Sequence, residues 1–292
     1  MPVSKKEGQA MEQGHPSQTA HRVAKHRAMH QLLDTPRVFD DPVALRILGP
    51  RQRDALRREA CRGDGPLARG LRAGMVARSR IAEDALRDAI GRGIRQYVVL
   101  GAGLDTFAYR NPYPASALQV FEVDHPSTQA WKRRLLRDAQ IPLPATLRFV
   151  PVDFETQTLA ERLREGGYRS DEPAFFSWLG VTMYLRRESL LSTLGFIAST
   201  PGNSVVLDHV LAPSVLGPLD RLSLKLIAWR CARLGEPWLS CLEPHALQRD
   251  LESLGFRSVE QLQAEDINAL LFDGGRGKLK FRRIAQLVKA QA

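Results

Sequence analysis

The run Tyr97-Val98-Val99-Leu100-Gly101-Ala102-Gly103-Leu104-Asp105 constrains this chain more than any other stretch. An apolar strand breaks abruptly into a glycine pair and then into a helical pattern. A strand that ends in Gly-x-Gly brings bare backbone against a ligand, because a Cβ there would collide with it. The tetrapeptide Glu122-Val123-Asp124-His125 follows about 20 residues later, the offset at which a nucleotide-binding sheet sets a carboxylate on a ribose. Together they predict an enzyme that holds an adenosine-containing cofactor.

The flanking sequence supplies the rest of such a sheet. Strands are expected at 97–101, 118–123, 147–152, 174–178 and 204–210, with helices at 126–139, 156–165 and 187–199 between them. This alternation implies a doubly wound, mostly parallel α/β sheet covered on both faces, with ligands at the carboxyl ends of its strands. Leu71, Met75, Ile81, Leu86 and Ile90 recur near helical spacing, so 71–92 reads as an amphipathic helix stopped by Gly91 and Gly93. Residues 20–60 look helical, punctuated by Pro36, Pro42 and Pro50, and form a cap over 21–70. Residues 212–240, with three prolines and a helical stretch at 219–234, are too long for a simple connection and read as a lid. A last helix at 243–254 and closing strands at 256–262 and 279–288, paired as a hairpin, complete the chain. Residues 1–20 are polar, lack the apolar core of a signal peptide, and read as a disordered leader before a single domain at 21–292.

Bulk properties narrow the function. No stretch approaches 18 consecutive apolar residues, so nothing spans a membrane and no membrane partner is expected. Cys61, Cys231 and Cys241 are widely spaced and form no CxxC, which points to a reducing cytoplasm. The net charge of +10 comes from two stretches: residues 51–80, with nine arginines against three acids, and residues 276–292, with six basic residues and no acid. The first set is interleaved with Leu, Ala and Gly as on a wet helix face, and no nucleic-acid motif accompanies it. A positive field that draws in an anionic small-molecule substrate is the better reading. His26 and His30 lie one helical turn apart, but no carboxylate or thiolate at fitting spacing joins them, and no metal is expected.

Which cofactor the loop holds turns on Thr106. A dinucleotide fingerprint puts a third glycine there, where the helix packs close beneath a pyrophosphate. A cofactor without phosphate needs no helix N-terminus. S-adenosylmethionine needs close backbone approach for its methionine part, an acid for its ribose and a polar group beside its adenine. A nicotinamide-dependent oxidoreductase on a similar sheet stays as the alternative, and a catalytically silent binding protein as a third.

Several segments carry a family resemblance. Ala77-Arg78-Ser79-Arg80, the loop from Gly101 to Arg110, Phe121-Glu122-Val123-Asp124-His125-Pro126 and Val152-Asp153-Phe154 resemble successive motifs of the leucine carboxyl methyltransferase family. So do Trp178-Leu179-Gly180-Val181-Thr182-Met183-Tyr184-Leu185, Gly235-Glu236-Pro237-Trp238 and the N-terminal Phe39-Asp40-Asp41-Pro42. The bacterial polyketide-synthesis O-methyltransferases are the most similar branch. The resemblance implies a seven-stranded class I methyltransferase sheet with S-adenosylmethionine as cofactor. It also implies that Arg78 pairs with the methionine carboxylate and that Gly101, Ala102 and Gly103 admit the methionine part. Asp124 would take the ribose hydroxyls, Asp153 the adenine amine, and Phe154 would lie beside the ring. Members often carry a glutamate near the Leu179 position, and this chain has none.

Methyl transfer from a sulfonium is an in-line displacement. A carboxylate nucleophile is already ionised, whereas a phenol with pKa near 10 benefits from a general base. Candidate bases are His125, His209 and Asp208, and no catalytic residue is assigned. Tyr184 reads as core. The expected reaction is O-methylation of a small molecule at a carboxyl or phenolic group, and a protein C-terminal carboxylate is the other acceptor class. A closed lid at 212–240 suits the former, an open groove the latter.

Overall fold

The computed structural model describes residues 17–153, 156–233, 235–273 and 278–292. Residues 1–16, most of the expected leader, and Phe154 lie outside the described residues. The leader reading to residue 20 is too long. Ser17 caps helix α1 (Gln18–Leu33), its hydroxyl accepting the Ala20 N–H.

Seven strands form one sheet: β1 (Gln96–Leu100), β2 (Gln119–Asp124), β3 (Leu147–Pro151), β4 (Ala174–Trp178), β5 (Ser204–Val210), β6 (Ser258–Leu262) and β7 (Ala285–Gln291). Their order is β3-β2-β1-β4-β5-β7-β6, and β7 runs antiparallel to both β5 and β6. Strand order reverses between β1 and β4, the place where a sheet of this kind opens a crevice for ligands. Every residue of β1 and β4 is buried, as strands covered on both faces require.

Alternation along the strands divides the core into two layers. Val98, Leu100, Phe121 and Phe176 face helices α6 (Leu159–Glu165), α7 (Arg187–Ala198) and α9 (Pro244–Ser253) through Leu163, Leu194 and Leu251. Tyr97, Val99, Phe175 and Val206 face helix α4 (Pro66–Gly91), where Ala73, Ala77 and Ala89 let the helix lie close to the sheet. Helices α1, α2 (Pro42–Ile47) and α3 (Gly49–Ala60) form the cap, with a smaller core around Ala28, Ile47 and Leu56 that also takes in Leu136 of α5 (Pro126–Asp138).

Two expectations fail locally. The segment after the glycines makes no α-helix, only a single 3₁₀ turn at Phe107–Tyr109. The Asp105 carboxylate accepts the Phe107 N–H at 2.8 Å, and the Thr106 hydroxyl is drawn aside to Asp41 at 2.8 Å. Such local side-chain bonds compete with helix formation. The closing strands do pair antiparallel, but helix α10 (Ala264–Leu271) lies between them and the second begins at Ala285 rather than 279. Asn268 of α10 explains the delay: its amide donates to the Phe281 carbonyl at 3.0 Å and accepts the Phe281 N–H at 2.8 Å, so this stretch pairs with the helix instead of the sheet.

Candidate functional site

The glycine turn sits at the carboxyl end of β1 with φ of +66° at Gly101 and +47° at Gly103. A Cβ at Gly101 would run into the Val181 side chain, and one at Gly103 would lie 3.1 Å from the Ala20 Cβ. Both positions therefore need glycine for backbone reasons as well as for space. Ala102 is buried, its N–H donating to the Val123 carbonyl at 3.0 Å, which ties the turn to β2.

Asp124 ends β2 and folds onto the same turn. Its Oδ2 accepts the Gly103 N–H at 2.5 Å and its Oδ1 the His125 N–H at 2.7 Å. Burial pushes its carboxyl pKa up, and these two N–H donors pull it back. It is not the cap of α5: that role belongs to His125, whose Nδ1 accepts the Ser127 N–H at 3.3 Å. Asp153 follows β3 next to Asp124, since the Val152 N–H donates to the Asp124 carbonyl at 3.0 Å. Its own carbonyl closes a turn, accepting from Thr156 at 3.1 Å and Gln157 at 2.8 Å.

Arg78 comes from α4 and reaches the crevice between β4 and β5. It donates from Nη1 to Asp208 Oδ2 at 3.0 Å, while Asp208 Oδ1 accepts the Gly180 N–H at 2.5 Å. Gly180 sits at φ +75°, where a side chain would be strained, and a Cβ there would lie 2.7 Å from both terminal nitrogens of Arg78 and push them away from Asp208. The structure thus brings Gly101, Ala102, Gly103 and Asp124 into one contact set, with Asp153 beside it. Arg78 lies across Val181 and Gly180. Gly180 joins this contact set and was not among the expected residues, whereas Asp208, a candidate base in the sequence, enters it as the partner of Arg78 and Gly180. Asp208 stands on β5, the strand beside β4.

The cap is fastened to the far side of the turn. Asp41, fully buried, accepts the Ala44 N–H at 3.0 Å and the Thr106 hydroxyl at 2.8 Å, and it faces Arg27 at 3.6 Å and Arg110 at 3.5 Å. Arg27 also donates to the Leu104 carbonyl, and Arg110 grips Glu83 with both terminal nitrogens. The Phe-Asp-Asp-Pro motif is therefore a clamp on the glycine loop. His30, a candidate in the metal reading, bonds Asp34 at 2.7 Å and takes the Phe39 N–H at 3.3 Å.

Beyond Arg78 lies a cavity of about 160 Å³, roofed by helix α8 (Pro218–Ala232) and floored by Arg78, Gly180 and Asp208. Met75, Ile227, Trp238 and Phe281 make it apolar, and Arg22 and Arg230 make it basic. Tyr184 packs against the small core of Met183, Val210, Leu216 and Leu224, as expected, and also lines the cavity, donating to Thr19 Oγ1 at 3.4 Å, and burial pushes its phenol up to about 12. Burial and the nearby Arg72, Arg22 and Lys25 hold His26, another lining residue, down at about 4. Glu236 latches the lid, accepting the Ser17 hydroxyl at 2.8 Å and the Thr19 N–H at 3.1 Å at the start of α1. The Ser240 hydroxyl donates to the Thr182 carbonyl at 3.0 Å.

The family model for leucine carboxyl methyltransferases matches residues 20–198. The chain belongs to the leucine carboxyl methyltransferase family. It is similar to YktD of Bacillus subtilis, named as an S-adenosyl-L-methionine-dependent methyltransferase, at 33% identity over 87% of this chain and 90% of that one. A Mycolicibacterium smegmatis protein of the same description is 35% identical over 66% of each chain. Among solved structures, a methyltransferase from Thermobifida fusca shares the fold with a TM-score of 0.52 at 16% identity, covering 99% of both chains.

This member of the family is a methyltransferase that uses S-adenosylmethionine, and the chemistry of its donor set fits that cofactor. A cation (Arg78) and an anion (Asp124) stand on either side of the Gly101-Ala102-Gly103 turn, charges that match an amino-acid carboxylate and ribose hydroxyls. The Asp124 carboxylate uses two of its roughly four lone-pair sites on backbone N–H groups, so the others can accept hydroxyls. A dinucleotide is disfavoured by the same geometry. The 3₁₀ turn after the loop provides no α-helix N-terminus for a pyrophosphate.

The base candidates separate by position. His209 is buried and does not line the cavity, which receives the neighbouring side chains of Asp208 and Val210. His125 is engaged as a helix cap. Asp208 faces the cavity with both oxygens bound, one to Arg78 and one to Gly180.

Proposed function

We propose that this enzyme methylates a carboxyl oxygen of a small anionic metabolite with an apolar body, enclosed under the lid. When bound, S-adenosylmethionine supplies an electrophilic methyl group. Arg78 would hold the methionine carboxylate, Gly101, Ala102 and Gly103 would pass its chain, Asp124 would take the ribose hydroxyls, and Asp153 the adenine amine. The expected stacking residue Phe154 lies outside the described residues.

The observation that carries the carboxyl reading is the protonation chemistry of the cavity wall. Tyr184 stays protonated at neutral pH, His26 at about 4 is too weak to take a phenolic proton, and Asp208 is committed to Arg78 and Gly180. A wall of this kind suits an acceptor that arrives ionised. Arg22 and Arg230 suit its charge, and the apolar lining suits a polyketide-like acid. The latch from Glu236 to α1 favours an enclosed small molecule over a protein C-terminus. The three free thiols agree with a cytoplasmic location.

Calorimetric titration with S-adenosylmethionine and S-adenosylhomocysteine tests the cofactor residues. Wild-type binding with at least tenfold loss in Asp124→Ala is expected; equal affinity in the variant would overturn the assignment. Transfer from labelled cofactor to paired aromatic acids and phenols tests the acceptor. An alkali-labile methyl ester, formed at a kcat/KM flat from pH 6 to 8, is expected. Alkali-stable ether products would overturn the carboxyl reading.

A further inference from the structure

The lid helix α8 has two apolar sides, and the site uses only one. Ser223, Ile227 and Cys231 line the cavity, and Leu224 packs beneath the helix. The opposite side carries Leu219, Leu222, Leu226 and Trp229, exposed by 82%, 67%, 42% and 54%. Their spacing of three, four and three residues keeps them on one stripe at 3.6 residues per turn. Single exposed leucines need no explanation, but four large apolar side chains in register along one helix do. No charge interrupts the stripe.

The charges beside the stripe indicate what covers it. Arg221, Lys225, Arg230 and Arg233 are all exposed on or just after this helix, against a single acid, Asp220. Helical spacing puts Lys225 at one edge of the stripe and Arg230 at the other. The Arg233 guanidinium lies 4.8 Å from the centre of the Trp229 ring at the end of α8. A second copy packing the same stripe against itself would bring this positive helix against its equal, a like-charge juxtaposition. The polar first sixteen residues contain no apolar run that matches four large side chains. An apolar stripe with Leu and Trp, edged by Lys and Arg, has the composition of a helix that lies in a lipid interface.

We infer that the outer face of α8 docks on an anionic membrane surface. The apolar stripe enters the boundary between headgroups and acyl chains, and Lys225 and Arg233 reach the lipid phosphates. Among the described residues no helix is long and apolar enough to cross a membrane. The expectation of no membrane partner rested on that missing span, which says nothing of a helix lying on the surface. The cavity lies directly beneath α8, so an acceptor with a lipophilic body would meet the lid where such molecules partition.

Flotation with vesicles of phosphatidylcholine, with and without 30 mol% phosphatidylglycerol, tests this on the full chain. Wild-type protein should float with the anionic vesicles and be released by salt. Lys225→Gln and Arg233→Gln should each weaken binding about fivefold on those vesicles. Leu222→Ser/Trp229→Ser, both solvent-exposed changes, should abolish flotation while leaving the melting temperature and S-adenosylhomocysteine affinity unchanged. The retained affinity separates this outcome from a failure of the methyltransferase site. Absence of wild-type flotation would overturn the proposal, as would flotation unaffected by Leu222→Ser/Trp229→Ser. So would sedimentation showing a dimer that the double variant converts to monomer, since the stripe would then be covered by a second copy.

Discussion

Helices α1–α3 and the segment 212–240 cover the same strand ends from two sides, and they are held in different ways. The cap is fixed by buried charge: Asp41 gathers Thr106, Arg27 and Arg110, and Arg110 in turn holds Glu83 on α4. Among the described residues the lid is held without a buried ion-pair network, chiefly by the buried Glu236 carboxylate on two neutral donors of α1, by Ser240 on Thr182 and by a small apolar cluster around Met183, Leu216 and Leu224. A buried charge network resists partial opening, because exposing one partner leaves the others uncompensated in low dielectric. A helix held by a small cluster opens at low cost. The glycine turn therefore sits under the rigid cover, and the cavity beyond Arg78 lies between α1 of that cover and the more loosely held lid. This arrangement suits an enzyme that must keep one substrate aligned while exchanging another.

Breaking the rigid side should have the largest effect. Asp41→Ala removes the α2 cap and the shared partner of two arginines and a threonine. We expect a loss of about 4 kcal/mol of stability, seen as a fall in melting temperature of roughly 10 °C. A fall no larger than that of a lid-surface change such as Leu219→Ser would remove the distinction between the two covers.

His26 gives the next largest effect, and it is read through pH. Its folded pKa of about 4 lies below the ordinary 6.5, held there by burial and then by Arg72, Arg22 and Lys25. The unfolded chain binds this proton first as pH falls. Its contribution to stability is therefore complete above pH 6.5 and is lost progressively down to about 4, by at most about 3 kcal/mol. Denaturant unfolding of His26→Gln should show a shallower slope across that window. An unchanged slope would mean that His26 is not buried against the cations of α1 and α4.

Arg78→Lys comes third. It keeps the charge but loses the planar fork that suits a carboxylate. About tenfold weaker S-adenosylmethionine binding by calorimetry is expected, with Asp208 still paired. Equal affinity would move the methionine carboxylate elsewhere.

Much of this layout was legible in the sequence because it is local. The five parallel strands announced themselves as short apolar runs between helical patterns, and the glycine turn and Asp124 stood at a diagnostic offset. What was hidden depends on residues far apart in the chain. Local pattern left Arg78 one arginine among many, singled out by the family resemblance alone, and its partner Asp208 lies 130 positions away. Thr106 showed that a third glycine was missing, but not that its hydroxyl would hold Asp41, 65 positions upstream, and help to prevent a helix. The helix expected after the turn failed for that reason: periodicity cannot report a side chain bonded sideways. The same holds for Phe281, whose strand-like surroundings conceal its attachment to Asn268.

The smallest effect belongs to the lid latch. Glu236 accepts the Ser17 hydroxyl and the Thr19 N–H, so it caps α1 from outside that helix and places a negative charge at its positive end. Glu236→Ala should cost about 1 kcal/mol, a melting shift of roughly 3 °C. Its functional effect should be larger than its effect on stability, since the latch holds the roof of the cavity against α1. The acceptor KM should rise several-fold with little change in kcat, and proteolysis between α8 and β6 should quicken. Glu236→Gln keeps one acceptor oxygen and should recover part of the KM, whereas a purely electrostatic role for Glu236 would leave the two variants alike. If the acceptor KM and the proteolysis rate both stay at the wild-type value in Glu236→Ala, the lid is not held by this contact, and the contrast between a fixed cap and a latched lid fails on its weaker side.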